Sequence, residues 1–246
     1  MHSLSSATQE APVSPDAAAD TSQVQPDTDG DCDAIIVSQG LTFDGEHGPL
    51  FSDVDLTLDG GLHAVHMPGG HSQKALLLTL AGRLKPSAGS VAVFGETAPR
   101  AIRRHCAIAA FSDIDDLDEA VTVRTVLAEQ RRWLAPLFRR PRHGSDRDVL
   151  AEVFGDLERP APTDYIGDLG DLEMFLLQIA LALCSDRPVL VVGDLEQIRD
   201  SGRRAQAVQR LGAIAADRLV VVGVTNSLGD AAPEHGVHIP NIVRKD

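Results

Sequence analysis

A chain of 246 residues, 43% of them hydrophobic, is long enough to bury a substantial core as one domain or as a domain with a subdomain. No apolar run approaches the roughly 18 residues of a membrane-spanning helix, so the sequence predicts a soluble protein. The formal charge is −14, and residues 1–73 hold twelve Asp and Glu with no Lys or Arg; this balance argues against nucleic acid as a partner, because phosphate backbones are bound by clustered basic side chains.

Residues 1–33 are rich in Ala, Ser, Thr, Asp, Gln and Pro. They hold too little apolar surface to offset their ordering entropy and read as a disordered acidic tail. A basic stretch followed by an apolar one is absent here, so no secretory signal is expected. Cys32, Cys106 and Cys184 show no paired spacing, which suggests neither zinc nor disulfides and fits a reducing cytoplasm. From Ala34 to Leu58 the pattern is that of strands: Ala34 to Val37, a glycine-containing turn, then Phe51 to Leu58 with Val54, Leu56 and Leu58 alternating against Asp53, Asp55 and Thr57.

The apolar run Leu62 to Val65 then enters a turn, Met67-Pro68-Gly69-Gly70-His71-Ser72-Gln73-Lys74-Ala75, that opens into a leucine-rich helix ending at Gly82. Small residues in such a turn let backbone N–H groups converge on phosphate oxygens at a helix N-terminus, where the helix dipole favours anions. Further on, Leu84-Lys85-Pro86-Ser87-Ala88-Gly89-Ser90-Val91-Ala92-Val93-Phe94-Gly95 forms a long hairpin pattern. Val189 to Val192 is a buried-strand pattern ending in Gly193-Asp194, and Leu219 to Val224 is another, ending in Thr225-Asn226.

Together these segments resemble the ATP-binding domains of ABC transporters, whose loop is Gly-Pro-x-Gly-x-Gly-Lys-Ser/Thr before a Leu-Leu-x-x-Leu-Ala-Gly helix. Pro68 and Gly70 match. Met67 and Ser72 stand at glycines, Gln73 at the phosphate-binding lysine and Lys74 at the hydroxyl that ligates Mg²⁺. The Leu84 to Gly95 hairpin is the longest ungapped match, and seven landmarks follow the family's order between Ala34 and Asn226. The resemblance implies an α/β fold: a P-loop NTPase core with an N-terminal antiparallel β subdomain and an inserted α-helical subdomain at about 118–180, all within residues 34–246.

It also implies site residues. Phe43 is placed to stack on adenine, and Pro68, Gly69, Gly70, His71, Ser72, Gln73, Lys74 and Ala75 form the phosphate loop. Leu169, Gly170, Asp171, Leu172 and Glu173 stand at the Leu-Ser-Gly-Gly-Gln/Glu signature, where Gly170 lacks the serine hydroxyl and Asp171 sets a carboxylate against an approaching phosphate. Gly193 falls at the magnesium aspartate and Asp194 at the catalytic glutamate, with a one-residue slip as the alternative register. Asp200 matches the aspartate of the following loop and Asn226 stands at the switch histidine, where it cannot carry a proton. No glutamine follows the Ala107 to Phe111 strand.

ATP is the cofactor so implied, whereas loss of both protein ligands (Lys74 for Ser/Thr, Gly193 for Asp) argues against Mg²⁺, and no metal ligand is assigned. Removing transition-state contacts costs about 10²- to 10³-fold each, so hydrolysis is expected to be lost or strongly reduced unless a partner supplies the missing parts. The expected function is an ATP-binding subunit of an ABC-type transporter or membrane complex with impaired hydrolysis; the alternatives are a docking subunit that binds no nucleotide and an active ATPase using Asp194 as base. In the first case the Lys74 amine takes the magnesium position. The expected partner is a transmembrane transporter subunit or other membrane protein, with a second ABC ATPase subunit as a further partner. The chain is expected in the cytoplasm, held to the inner face of the plasma membrane. The basic groups Arg131-Arg132 and Arg139 to His143 read as a docking surface for a membrane subunit or as a solvated turn, and Trp133 between them favours docking.

Overall fold

The computed structural model describes residues 34–135, 148–226 and 235–239. The acidic tail and the basic segment Arg139 to His143 lie outside them. In chain order the elements are β1 (Ile36–Gly45), β2 (Gly48–Leu58), β3 (Gly61–His66), α1 (His71–Leu80), β4 (Ala88–Val93), α2 (Pro99–His105), β5 (Cys106–Ala109), α3 (Val123–Leu134), α4 (Val149–Phe154), α5 (Asp171–Leu183), β6 (Val189–Asp194), α6 (Ser201–Ile214), β7 (Leu219–Val224) and β8 (His235–His238).

β1 pairs antiparallel with β2 on one side and β4 on the other. The alternation seen in the sequence sets the faces: Val54, Leu56 and Leu58 are buried while Asp53, Asp55 and Thr57 are exposed. The Leu84 to Gly95 stretch is not the hairpin expected from its pattern: it holds one strand, β4, which pairs with β1 and carries Gly89, whose φ of +75° and contact with the Gly40 backbone leave no room for a Cβ. That local demand explains why the pattern carries glycine there.

The second sheet is parallel throughout, in the order β5-β6-β7-β3-β8. β7 is buried along its whole length and β6 up to Asp194, as strands covered on both faces must be. One face, through Val65, Val191 and Val221, packs on Leu76, Leu77 and Leu80 of α1 and on the antiparallel sheet. The other, through Ala64, Leu190, Val192, Val220 and Val222, packs on α4, α5 and α6 with Phe154, Phe175, Ile179 and Leu211 at its centre. A third cluster, Val123, Val126, Ile166, Leu177 and Leu181, joins α3 to α5 and makes the helical subdomain. Trp133 projects from its end, 86% exposed. This is the architecture implied by the sequence. No helix among the described residues is long and apolar enough to cross a membrane.

The carboxyl ends of β3, β5, β6 and β7 lie along one edge of the parallel sheet. Ligands of open α/β sheets bind in that crevice.

Candidate nucleotide site

A cavity of about 350 Å³ opens at this edge, lined by Gly70, Lys74, Ser112, Gly193, Asp194 and Gln197 among others. Its size falls at the lower end of small-ligand sites. One wall is the loop between β3 and α1. Gly70, with φ +89°, turns the chain into α1, whose first turn carries no acidic residue. Gln73 lines the cavity floor, but its amide is turned back under the loop. It is 2% exposed, donates from Nε2 to the Met67 carbonyl at 3.4 Å and packs on Gly223 of β7.

Lys74 is the cationic side chain of this loop. Its Nζ donates to the Ser112 carbonyl at 2.5 Å and approaches Asp113 Oδ2 at 3.4 Å. Asp113 is 88% exposed, so that ion pair is worth little by itself. An ammonium has three donors, and two are engaged here.

The opposite wall shows how the end of β6 is built. A Cβ on Gly193 would overlap the Ala110 carbonyl oxygen and come within 2.9 Å of its carbonyl carbon. Gln197 Nε2 donates to that same carbonyl at 2.6 Å and to the Asp194 carbonyl at 3.0 Å. Ala110 is held in the left-handed region, φ +57°, because Asp115 accepts its N–H at 2.6 Å and the Phe111 N–H at 2.7 Å. Gln178 of α5 donates to the Asp115 carbonyl at 3.2 Å, tying the loop to the helical subdomain. Burial pushes the Asp115 carboxyl above its ordinary range, against the two N–H groups that favour its charge.

Asp194 lies over the loop between β3 and α1. Its Oδ2 accepts from the Thr225 hydroxyl at 2.7 Å and its Oδ1 from the Glu196 N–H at 3.1 Å. A Cβ on Gly69 would meet Thr225 Oγ1 at 2.5 Å and Asp194 Oδ2 at 3.0 Å, so both side chains rest on the loop backbone. Burial raises the Asp194 pKa; the Thr225 hydrogen bond opposes that shift. A raised folded-state pKa means that folding favours the protonated form: its contribution to stability is full below the unfolded-state value and is lost as pH rises through the folded one. Asp194→Asn is therefore expected to unfold at a higher temperature than the wild type near neutral pH, with the gap closing as the pH falls into the ordinary carboxylate range. Thermal unfolding followed by circular dichroism across pH checks this.

The remaining predicted residues are placed as follows. Phe43 is half-buried and stacks on Phe51, ring centroids 6.1 Å apart, and it does not line the cavity. Asn226 is exposed just beyond β7. Asp200 caps α6, accepting the Arg203 N–H at 2.9 Å. At the signature position, Glu173 accepts the Gly170 N–H at 2.8 Å. Asp171 accepts the Leu172 N–H at 2.8 Å and the Arg199 N–H at 3.1 Å and pairs with Arg203 at 2.7 Å. The start of α5 is thus already served by its own carboxylates, and Asp171 joins α5 to the loop before α6. The aspartates that follow β5, Asp113, Asp115, Asp116 and Asp118, are likewise engaged within the chain. Asp116 accepts the Asp113 N–H and Asp118 the Ala120 N–H.

The two Mg²⁺ ligands that the resemblance implies, a loop hydroxyl and a carboxylate at position 193, are both replaced here. An ammonium occupies the loop position that a hydroxyl would need, and position 193 has no room for a carboxylate. No group of three or more His, Cys, Asp or Glu able to hold a metal ion occurs among the described residues. The residues missed by sequence reasoning are Ala110, Asp115 and Gln197; the one sequence signal near them is Gly193, a glycine inside a buried strand pattern, which marks a close backbone approach.

A strand, glycine turn and helix at the crevice of a parallel sheet, flanked by an antiparallel sheet and a helical subdomain, define a P-loop domain of the ABC type. No family model matches the chain. It is 30% identical over 203 residues to the hemin import ATP-binding protein HmuV of Nocardia farcinica, covering 76% of this chain and 67% of that one. The chain belongs to the family of ABC-transporter ATP-binding proteins. Solved structures share the fold: cbiO1 from Clostridium perfringens, part of the ABC transporter complex cbiONQ (TM-score 0.63, 16% identity, 79% of each chain), and a dimeric ATP-binding cassette in a post-hydrolysis state bound to ADP and Pi (TM-score 0.66, 19% identity, 83% of this chain and 94% of that one).

Proposed function

We propose that this chain is a nucleotide-binding subunit of an ABC-type membrane complex in which ATP hydrolysis has been lost, held at the inner face of the plasma membrane by a transmembrane partner. The observation that carries the loss is the wall at β6: Gly193 faces the Ala110 carbonyl with no space for a metal-binding carboxylate. Phosphoryl transfer to water depends on metal and positioned donors to stabilise charge in the transition state, and here Gln73 is buried under the loop while Lys74 faces Ser112. The relative named for hemin import and the cassette bound to ADP and Pi support an assignment to transport and to nucleotide binding, respectively. The implied site residues, Pro68 to Ala75 on the phosphate side and Leu169 to Glu173 on the signature side, are part of this proposal, as is pairing with a second ABC ATPase subunit.

A second reading, a docking subunit that binds no nucleotide, is favoured by Asp194 and Thr225 resting on Gly69, because they narrow the loop mouth. Phosphate release from ATP with Mg²⁺ tests the loss of hydrolysis: the purified chain is expected to give background release only. Turnover abolished by Asp194→Asn would overturn the proposal and establish an ATPase with Asp194 as base.

A further inference from the structure

We propose that the chain itself takes the place of the metal ion in this site, so that the phosphate groups of the ligand are bound metal-free, with the Lys74 ammonium as the counter-charge. This rests on the reading of the cavity as a nucleotide site and deepens it. Two independent constructions converge on it.

The first supplies positive charge. Lys74 rises from the fourth residue of α1 and is anchored by the Ser112 carbonyl, with a weakly held contact to the exposed Asp113. One ammonium donor remains for a phosphate oxygen beside the N–H groups that open α1, and Asp113 is free to swing away when an anion competes for the amine. An ammonium there and a divalent cation would repel at contact distance, so one excludes the other.

The second removes the metal's carboxylate. The Ala110 carbonyl fills the space beside Gly193, and Gln197 seals it by donating to it. Asp115 holds Ala110 in the left-handed conformation that aims its carbonyl there. This is more than an absent side chain. The vacated position has been occupied by a hydrogen-bonded backbone group, and a buried polar group so satisfied is stable against replacement.

The test is calorimetric titration of ATP into the full chain, once in EDTA and once in excess Mg²⁺, for the wild type, Lys74→Ala and Lys74→Met. The methionine variant keeps the apolar stem and removes the charge, and a thermal melt of each variant reports folding. The expected result is wild-type binding that is tight in EDTA and weaker in excess Mg²⁺, which draws ATP into a metal complex that the Lys74 ammonium repels. Binding in EDTA is weakened about tenfold or more in both variants, as loss of a charge-assisted hydrogen bond implies. Binding as tight or tighter in Mg²⁺ would overturn the metal-free site while leaving the nucleotide-binding subunit intact. Unchanged affinity in a folded Lys74→Met would overturn the role of Lys74. No ATP binding in either condition would overturn the nucleotide site itself and leave the docking reading.

Discussion

Replacing Gly193 with Asp, the change that would restore a carboxylate at the end of β6, is expected to lower the unfolding temperature by roughly 8–16 °C, the equivalent of about 4 kcal/mol in a domain of this size. A Cβ alone overlaps the Ala110 carbonyl oxygen, and relief requires backbone movement in one of two rigid places: the end of a central parallel strand or a loop fixed by Asp115 and Gln197. Overpacking of a tight site costs about 1–3 kcal/mol. A carboxylate facing a carbonyl oxygen in a buried position adds a desolvation penalty with no compensating donor. The variant is also expected to gain no stability from added Mg²⁺. A melt at wild-type temperature, rising with Mg²⁺, would show that the wall is soft and the metal position recoverable.

Asp115→Ala is expected to cost about 2 kcal/mol, a fall of roughly 4–8 °C in the same melt. Two backbone N–H groups, those of Ala110 and Phe111, lose their acceptor, and each such loss in a buried place costs about 1–3 kcal/mol. The cost is offset in part because burial already raises the Asp115 pKa, so the wild-type carboxylate is ionised against a penalty that alanine does not bear. Asp115→Asn keeps one acceptor and no charge and should fall between the two. The larger consequence concerns Ala110, which has no local reason to stay at φ +57° once Asp115 is gone. Hydrogen exchange at Ala110 and Phe111 is expected to accelerate in the alanine variant while β6 and β7 remain protected. If exchange there were unchanged, Asp115 would not be what holds the loop.

Much of the fold was legible because its determinants are local. The strand within Leu84 to Gly95 announces itself through Gly89, which needs a positive φ and a bare Cα in one place, although its partner is β1 and not a hairpin neighbour. The parallel sheet shows in the runs Val189 to Val192 and Leu219 to Val224, buried on both faces. The site was less legible because its decisive contacts are long-range. Asp171 reads in sequence as a charge repelling phosphate, yet it pairs with Arg203 and accepts the Arg199 N–H, partners supplied by a loop that only the fold brings near. Counting along the chain leaves two registers for Gly193 and Asp194. In the structure the bare position faces Ala110 and the carboxylate lies over Gly69, a distinction that depends on β5 and β6 being neighbours. Lys74 was visible as a misplaced cation, but its tether at Ser112 and the carbonyl plug at Gly193 are backbone features, and a sequence pattern carries no record of where a carbonyl points.

The most direct measurement is electron paramagnetic resonance of Mn²⁺, a stand-in for Mg²⁺, titrated into the full chain together with ATP. The spectrum is predicted to equal the sum of free Mn²⁺ and Mn²⁺–ATP in buffer, with no third species at any ratio. A distinct protein-bound signal saturating at one equivalent would contradict the account, because it would place a metal where Lys74 and the Ala110 carbonyl leave none.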